Sequence, residues 1–508
     1  MTITELFENR AIELGDKTFV RCEDETLSYR EVHERAGRIA ANLAASGVQK
    51  GDKIVLLMGN CVEFIYLFLG LGRLGAVVVP INPTLKPDEV AYIAGDSDAE
   101  TLITASVFAP MLPEVRRQLP GLKRVYAIGE AVEGSAPFSA LLEPTAAFPP
   151  IAAVRDDEAA LIYTSGTTGL PKGVILTHGN YLANARMAVH GSGMDESDRF
   201  LCVLPLFHVN AQLSGVLCPL LLGTDVVVMK KFTPFQILPL IEAHRITILS
   251  AVPTIYNVMA RMPKAAEYDI SSIRFFVTGA APITEETYNE VVRVLKKPLI
   301  MGYGLSEATC VSAIADYRDP IKWNSVGPPL RYTSIRIVGE DGHDVPYGSV
   351  GEIWTAGPHV MKGYYKQPQA TAEVLKDGWL RTGDLGRFDQ DGYLYIAGRV
   401  KDMIIRGGQN IYPQQVENVI ARIPGVEECC VVGVEESRWG QEVLAVIKCV
   451  EGYSLVARQV IDYCRTHLAA YKCPQFVRFV DGLPKTATGK IKKGVVASLF
   501  ADVAKNCP

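Results

Sequence analysis

Short runs of apolar, often β-branched residues alternate along this chain with segments long enough to form a helix. The clearest runs are Ile54–Met58, Ala76–Pro80, Ala159–Tyr163, Asp225–Met229 and Ile246–Val252. Strands that are separated by helical crossovers form parallel sheets covered by helices on both faces. The alternation therefore predicts an α/β fold built on doubly wound parallel sheets.

The spacing of these runs divides the chain into a large body and a small C-terminal cap. A Pro- and Ala-rich connector ends at Pro150, and a second doubly wound unit is predicted after it. Beyond Gly327, short strands with Asp-Gly turns predict a small β-rich subdomain. A compact α+β pattern follows from Asp402. The predicted units are a body of residues 1–401, with sub-units at about 1–155, 156–327 and 328–401, and a cap of residues 402–508.

The composition is that of a folded globular protein. The 508 residues are 48% hydrophobic and 21% charged, and the formal net charge is -5. Neither sign of charge forms a long run, which argues against a nucleic-acid partner and against a polybasic membrane surface.

The sequence also lacks the features of a membrane or secreted protein. Its most apolar stretch, Val62–Ile81, contains Glu63, Arg73 and several glycines, so a buried helix followed by a strand is predicted instead of a membrane span. The N-terminus has no basic and apolar secretion signal. The eleven cysteines contain no C-x-x-C pair. We therefore expect a cytoplasmic protein without an integral membrane segment, and the oligomeric state stays open.

A loop rich in glycine and hydroxyl groups, Tyr163–Gly173, follows one of the buried strands directly. Its four Ser and Thr hydroxyls, its backbone N–H groups and one lysine are donors suited to a polyphosphate, and its glycines allow close approach. The spacing excludes a Walker A loop, because the position that would need the last glycine is Pro171. A strand is predicted from Gly173, where an ordinary P-loop would begin a helix.

Five further motifs follow this loop along the chain. They are Pro205-Leu-Phe-His-Val209, Gly302-Tyr-Gly-Leu-Ser-Glu-Ala-Thr309, Gly378-Trp-Leu-Arg-Thr-Gly-Asp-Leu-Gly386, Gly398–Pro413 and Pro484-Lys-Thr-Ala-Thr-Gly-Lys-Ile491. With these motifs in this order, the chain resembles the adenylate-forming superfamily, in its acyl-CoA ligase branch. The resemblance covers essentially the whole chain and agrees with the division into body and cap.

The resemblance implies an ATP-dependent carboxylate–CoA ligase. Such an enzyme forms an acyl-adenylate and pyrophosphate, and a thiol then displaces AMP. The expected partners are ATP, CoA and a small carboxylic acid, with Mg²⁺ accompanying ATP. An acyl-AMP ligase that loads a separate carrier protein is the first alternative, and an inactive nucleotide-binding regulator is an alternative of another class.

The resemblance also assigns roles around ATP. Glu307 matches the Mg²⁺ ligand, and a single carboxylate suffices for a cation that also binds phosphate. Tyr303 matches the aromatic residue that stacks on adenine, and Asp384 the acceptor of the ribose hydroxyls. Arg399 follows at the domain junction. The pyrophosphate cradle would be Thr164, Ser165, Gly166, Thr167, Thr168 and Lys172, and the adenine wall Gly279, Ala280 and Ala281.

Three roles fall on the cap. Lys490 matches the lysine that stabilises charge during adenylation, and it would reach the α-phosphate from the cap. Asp402 matches the hinge about which the cap swivels between the two half-reactions. Gly407 and Gly408 match the loop that lines the CoA channel.

The acyl pocket is expected at His208, Val209, Gln212, Gly304 and Ala308, with His208 as a gate near the carboxylate. The matching segments, 208–215, 252–256, 278–282 and 301–310, contain no Lys or Arg. A second substrate carboxylate would need a cation in such a pocket, so an apolar monocarboxylic acid, fatty or aryl, is predicted. Asn210 and Gln212 can either read a polar substituent or satisfy the backbone.

Overall fold

In the computed structural model, residues 1–164, 170–263, 265–281, 283–436, 439–485 and 491–503 are described. Up to the phosphate loop the elements are α1 Ile3–Leu14, β1 Thr18–Cys22, β2 Glu25–Ser28, α2 Tyr29–Ala45, β3 Lys53–Leu57, α3 Val62–Leu71, β4 Val77–Pro80, α4 Pro87–Asp96, β5 Thr101–Ala105, α5 Leu112–Gln118, β6 Arg124–Ile128, β7 Ala136–Pro137 and β8 Glu158–Thr164.

The next stretch contains β9 Lys172–Thr177, α6 His178–Ser192, β10 Phe200–Cys202, α7 Val209–Gln212, α8 Cys218–Leu222, β11 Val226–Val228, α9 Ile237–His244, β12 Ile248–Ala251, α10 Pro253–Ala260, β13 Phe275–Thr278, α11 Glu285–Leu295, β14 Leu299–Tyr303 and β15 Ala313–Ile314. A π-helical turn, Leu213–Leu217, joins α7 to α8.

The remaining elements are β16 Ser334–Val338, β17 Gly351–Ala356, β18 Gly363–Tyr364, α12 Pro368–Val374, β19 Leu375–Lys376, β20 Trp379–Phe388, β21 Leu394–Arg399, β22 Ile404–Arg406, β23 Gln409–Ile411, α13 Pro413–Ile420, β24 Val426–Glu436, β25 Gly440–Cys449, α14 Ala457–His467, β26 Phe476–Phe479 and α15 Lys493–Leu499.

Two eight-stranded sheets form the large body, as the alternation of strands and helices predicts. The first has the order β18-β9-β8-β4-β3-β5-β6-β7 and the second β15-β14-β13-β12-β10-β11-β1-β2. Neighbouring strands from β4 to β6 in the first sheet and from β14 to β1 in the second run parallel. Side chains of both sheets, including Phe19, Ile54, Val78 and Phe200, share one buried core.

The two sheets are interleaved along the chain. β1 and β2 precede the first sheet in sequence but belong to the second, and β8 and β9 lie beyond residue 155 but belong to the first. The predicted division near residue 155 therefore does not coincide with the division between the sheets, because strand pairing here joins segments far apart in sequence.

Two smaller sheets follow. β16, β17, β20, β19 and β21 form the antiparallel, β-rich unit predicted after Gly327, and β22 to β26 form the last sheet, covered by helices. β19 and β20 are joined by the two residues Asp377 and Gly378, whose φ angles of 51° and 81° are typical of a tight hairpin turn.

The apolar stretch at Val62–Ile81 forms α3 and β4, as predicted. α3 is buried on nearly all sides, which explains its apolar composition. Among the described residues, no helix is both long and apolar enough to cross a lipid bilayer. The ten cysteines in the described ranges are free thiols.

Candidate active site

A buried carboxylate links the end of β14 to the β-rich unit. The Tyr303 hydroxyl donates to Oδ2 of Asp384 at 2.9 Å, and Nε of Arg399 lies 2.8 Å from Oδ1. Asp384 and Arg399 face each other in the register of β20 and β21. The Asp384 carboxylate raises the pKa of Arg399, which keeps the guanidinium charged. Three residues predicted to contact the nucleotide are thus brought together, and each oxygen of Asp384 has a protein donor that orients it.

The first residue after β13, Gly279, packs against β14 without room for a side chain. A Cβ on Gly279 would lie 2.8 Å from the carbonyl oxygen of Gly302. Ala280, with φ of 65°, has a left-handed backbone that costs a residue with a Cβ about 1–3 kcal/mol. Ala281 follows it. The predicted adenine wall therefore lies at the carboxyl end of two parallel strands, where doubly wound sheets bind ligands.

Glu307 and Lys172 both contact a third residue, Tyr364. The Tyr364 hydroxyl donates to Oε1 of Glu307 at 3.0 Å, and the Lys172 ammonium lies 5.2 Å from the centre of the Tyr364 ring. The amide of Met361 donates to the Glu307 carbonyl at 2.8 Å. Thr164 pairs with Lys172 across the base of the phosphate loop. The predicted metal ligand and the predicted phosphate lysine therefore share one partner, Tyr364, which the sequence patterns did not indicate.

His359 is a second residue that the sequence patterns did not indicate. It is fully buried, and its Nε2 lies 3.0 Å from the Ser312 hydroxyl. Its carbonyl accepts a hydrogen bond from the Thr309 hydroxyl at 2.6 Å. Burial lowers the pKa of His359 to about 4, so the imidazole is neutral at pH 7. This residue anchors the turn that follows Glu307 to the segment that carries Tyr364.

The predicted acyl-side residues divide into half-buried and fully packed ones. His208 caps the N-terminus of α7, is half-buried, and lies 4.3 Å from the Phe207 ring, measured between ring centres. Gly304 is half-buried as well, whereas Val209 is nearly fully buried and Ala308 is completely buried.

Gln212 has an interior role. It is completely buried, its Oε1 accepts from the Tyr181 hydroxyl at 2.5 Å, and its Nε2 donates to the Leu206 carbonyl at 2.9 Å. Of the two uses predicted for this amide, the contacts match the internal one, because both polar atoms are occupied inside the protein. Asn210 is half-buried, and its Oδ1 lies 3.4 Å from the Ser250 hydroxyl.

Gly407 and Gly408 form the two-residue turn between β22 and β23. Their φ angles are 56° and 79°, in the region that favours glycine, and a Cβ on Gly407 would lie 2.9 Å from the Trp439 ring. Arg406 ties this turn to β25 through a 2.7 Å ion pair with the buried Glu442. The predicted CoA-channel glycines are therefore part of a turn with a firmly held base.

The remaining predicted residues of the cap are Asp402 and Lys490. Asp402 ends a short 3₁₀ turn directly after β21 and is half-buried. Lys490, together with Ser165, Gly166, Thr167 and Thr168, lies outside the described residues. At the edges of the Lys490 segment, Lys485 and Ile491 form a β-bridge, and Lys493 forms a 2.6 Å ion pair with Glu417.

The residues present fit a magnesium ion that arrives with a polyphosphate. Within the described ranges, no group of three or more His, Cys, Asp or Glu side chains forms a metal cluster. Glu307 offers one half-buried carboxylate, linked to Lys172 through Tyr364. Mg²⁺ is commonly held in this way, by one or two carboxylates, substrate phosphates and water.

Comparison with known proteins identifies the family. The model of the AMP-binding enzyme family matches residues 7–365, and that of the AMP-binding enzyme C-terminal domain matches residues 415–490. The chain belongs to the AMP-binding enzyme family. The adenylate-forming resemblance is thereby confirmed.

Curated relatives cover almost the full chain. A feruloyl-CoA synthase of Amycolatopsis sp is 38% identical over 488 residues, which are 95% of this chain and 96% of the relative. A long-chain-fatty-acid–CoA ligase, FadD13, of Mycobacterium tuberculosis is 36% identical over 481 residues, 94% of each chain. The chain is therefore an AMP-forming acid–CoA ligase, as predicted.

Solved structures match the fold closely. The ATP-bound structure of MatB from Rhodopseudomonas palustris aligns with a TM-score of 0.92 and 31% identity, covering 99% of this chain and all of that chain. The apo form of the same protein aligns with a TM-score of 0.82. The arrangement of this chain is thus closer to the ATP-bound form.

Proposed function

We propose that this enzyme ligates CoA to an apolar monocarboxylic acid, fatty or aryl, through an acyl-adenylate. The observation that supports the adenylation step is the Tyr303–Asp384–Arg399 cluster, at the sheet edge where the adenine wall is predicted. The relatives' names support the acyl class, since neither a feruloyl nor a long-chain fatty acyl group carries a second carboxylate.

In the first half-reaction, a substrate carboxylate oxygen forms a bond to the α-phosphorus of ATP while the bond to the β-phosphate oxygen breaks. Asp384 would accept hydrogen bonds from the ribose hydroxyls, and Lys172 would bind the leaving pyrophosphate. Glu307 would hold Mg²⁺, which neutralises phosphate charge when bound. Lys490 would stabilise the charge that develops on the α-phosphate.

In the second half-reaction, the sulfur of CoA attacks the acyl carbon and AMP leaves with the electron pair of the broken C–O bond. Lys490 would have to withdraw for the thiol to enter, so the cap would turn about Asp402. Two polar contacts between the cap and the body support this: Arg422 with Glu285 at 2.8 Å and Asn410 with Glu340 at 3.3 Å. Both contacts are exposed, and an exposed ion pair such as Arg422 with Glu285 contributes about 0–1 kcal/mol, so breaking it costs little when the cap turns.

The preference for one carboxylate rests on the absence of cations near the expected pocket. Segments 208–215, 252–256, 278–282 and 301–310 contain no Lys or Arg, and the two amides of the first segment, Asn210 and Gln212, already contact protein atoms. A buried second carboxylate would remain unpaired.

The proposal is tested by measuring AMP formation with Mg²⁺ and ATP across octanoate, benzoate, cinnamate and malonate, with and without CoA. We expect CoA-dependent AMP release with at least one monocarboxylate and little with malonate. A malonate rate above those of octanoate and benzoate would refute the acyl class. CoA-independent accumulation of adenylate would favour the carrier-protein ligase, and silence with every acid would favour the inactive regulator.

The assignment of Lys490 is tested separately. Lys490→Ala should abolish most adenylation but leave thioester formation from preformed acyl-AMP and CoA nearly unchanged. Lys492→Ala, two residues along the chain, is the matched control and should leave both half-reactions intact. Equal loss in both half-reactions of the Lys490 variant would contradict a cap that works in two positions.

A further inference from the structure

Tyr364 lies between two groups of opposite charge at the phosphate end of the site. Its hydroxyl donates to Oε1 of Glu307 at 3.0 Å, and its ring centre is 5.2 Å from the Lys172 ammonium. Glu307 is 57 residues away in sequence and Lys172 lies on a different strand. Both contacts join residues that are far apart in the sequence, so the fold and not the local sequence brings them together.

Neither charged group has a stronger partner among the described residues. The contacts described for the Lys172 ammonium and the Glu307 carboxylate are those with Tyr364, and neither group forms an ion pair within 4.0 Å there, although the Glu307 charge acts on Arg399 at longer range. Among the described residues, the Tyr364 hydroxyl donates a hydrogen bond to Oε1 of Glu307. The other carboxylate oxygen, Oε2, has no hydrogen-bond partner among these residues. An ammonium and a carboxylate that paired directly would neutralise each other, and both would be less available to a metal–polyphosphate.

Tyr364 is itself held firmly. β18 pairs with β9, so that Tyr364 lies opposite Val174, two residues from Lys172. The Tyr364 amide donates to the Thr371 hydroxyl at 2.9 Å. A tyrosine hydroxyl is protonated at neutral pH, so Tyr364 is the donor in its hydrogen bond to the Glu307 carboxylate.

We propose that Tyr364 is a positioning residue for the metal–polyphosphate, in which the hydroxyl orients Glu307 toward the cation and the ring holds Lys172 at the phosphate. The inference rests on the proposed function, because it assumes that Glu307 and Lys172 receive Mg²⁺ and ATP. The hydroxyl then affects how strongly Mg²⁺ increases ATP affinity, and the ring affects ATP affinity without Mg²⁺. The two effects can be measured separately.

The chain offers a matched control in the adjacent residue. The Tyr365 hydroxyl donates to Oδ2 of Asp98 at 3.0 Å, and its ring centre lies 5.0 Å from the Lys53 ammonium. Tyr365 therefore makes the same two kinds of contact as Tyr364, but with residues outside the site. A Tyr365→Phe variant removes an equivalent hydrogen bond from the same segment.

The experiment is a calorimetric titration of ATP, with and without Mg²⁺, into the full-length protein and three variants. In Tyr364→Phe, we expect the gain in ATP affinity caused by Mg²⁺ to shrink about tenfold, since one hydrogen bond to a charged group is lost. ATP affinity without Mg²⁺ should stay unchanged. Tyr364→Leu should also weaken Mg²⁺-free ATP binding about threefold, because the cation–π contact is lost as well. Tyr365→Phe should match the wild type in both conditions.

Two outcomes overturn the inference, and they are distinguishable. If the wild-type protein gains no ATP affinity from Mg²⁺, the proposed function fails and the inference fails with it. If the wild type gains affinity and Tyr364→Phe gains equally, only the role of Tyr364 is overturned. Thermal unfolding of each variant shows that a loss of binding is not a loss of fold, and Tyr364→Phe retains the ring that packs in the site.

Discussion

Gly304→Ala tests how tightly the turn that carries Glu307 packs on β14. A Cβ on Gly304 would lie 1.8 Å from the carbonyl oxygen of Cys310 and 2.8 Å from the Cα of Val311, whereas ordinary contact begins at 3.4 Å. All the nearest atoms are backbone, so no side chain can turn aside to make room. The loop from residue 304 to 311 would have to move outward by more than an ångström.

The cost of that movement follows from the geometry. Forcing an extra methyl group into a packed interior destabilises the folded protein by about 1–3 kcal/mol. Because the clash here is with backbone, we expect Gly304→Ala at or above the upper end of that range. Because Tyr303 precedes Gly304 and Glu307 follows it, the displacement would also disturb two predicted ATP contacts. We expect weaker ATP binding in addition to a lower unfolding temperature.

Gly302→Ala, two residues earlier and within β14, is the control. Its Cβ would lie 3.5 Å from the nearest atom, Cδ1 of Ile314, which is ordinary contact. Thermal unfolding and ATP titration of both variants give the comparison. If Gly304→Ala proves as stable as Gly302→Ala and binds ATP equally well, the packing argument is refuted.

Three further predictions concern pH, the nucleotide and the CoA channel. His359 titrates at about 4 when folded but near its ordinary 6.5 when unfolded, so acid favours the unfolded state, and stability should fall between these values by about 3 kcal/mol. The free energy of unfolding of His359→Gln should depend less steeply on pH between 4 and 6.5 than that of the wild type. An unchanged slope would contradict a lowered pKa of His359 in the folded protein. Asp384→Asn removes a charge that orients Arg399 and should weaken AMP binding about tenfold in calorimetry, whereas a loss below twofold would exclude the carboxylate as a major nucleotide contact. Gly407→Ala would meet the Trp439 ring at 2.9 Å, so single-turnover assays should show slower thioester formation than in Gly408→Ala, whose Cβ meets open space; equal rates would argue against a packed channel turn.

Local signals in the sequence were sufficient for the fold class. The alternation of apolar runs and helical segments predicts the two parallel sheets, because side-chain periodicity acts within a few residues. The strand predicted from Gly173 is present as β9, and the Asp377-Gly378 turn joins two strands as its residues require. The motifs around Tyr303 and Asp384 also marked residues that the structure brings within 2.9 Å of each other.

The tertiary structure alone decided which distant segments meet. β18 pairs with β9 and thereby places Tyr364 between Lys172 and Glu307, while both side-chain polar atoms of Gln212 and Nε2 of His359 form hydrogen bonds inside the protein. Nothing in the spacing around these residues distinguishes a surface tyrosine from one in the site, or a substrate-reading amide from an internal one. The physical reason is that hydrogen bonds between residues far apart in sequence depend on strand order, and strand order is set by how the whole core packs.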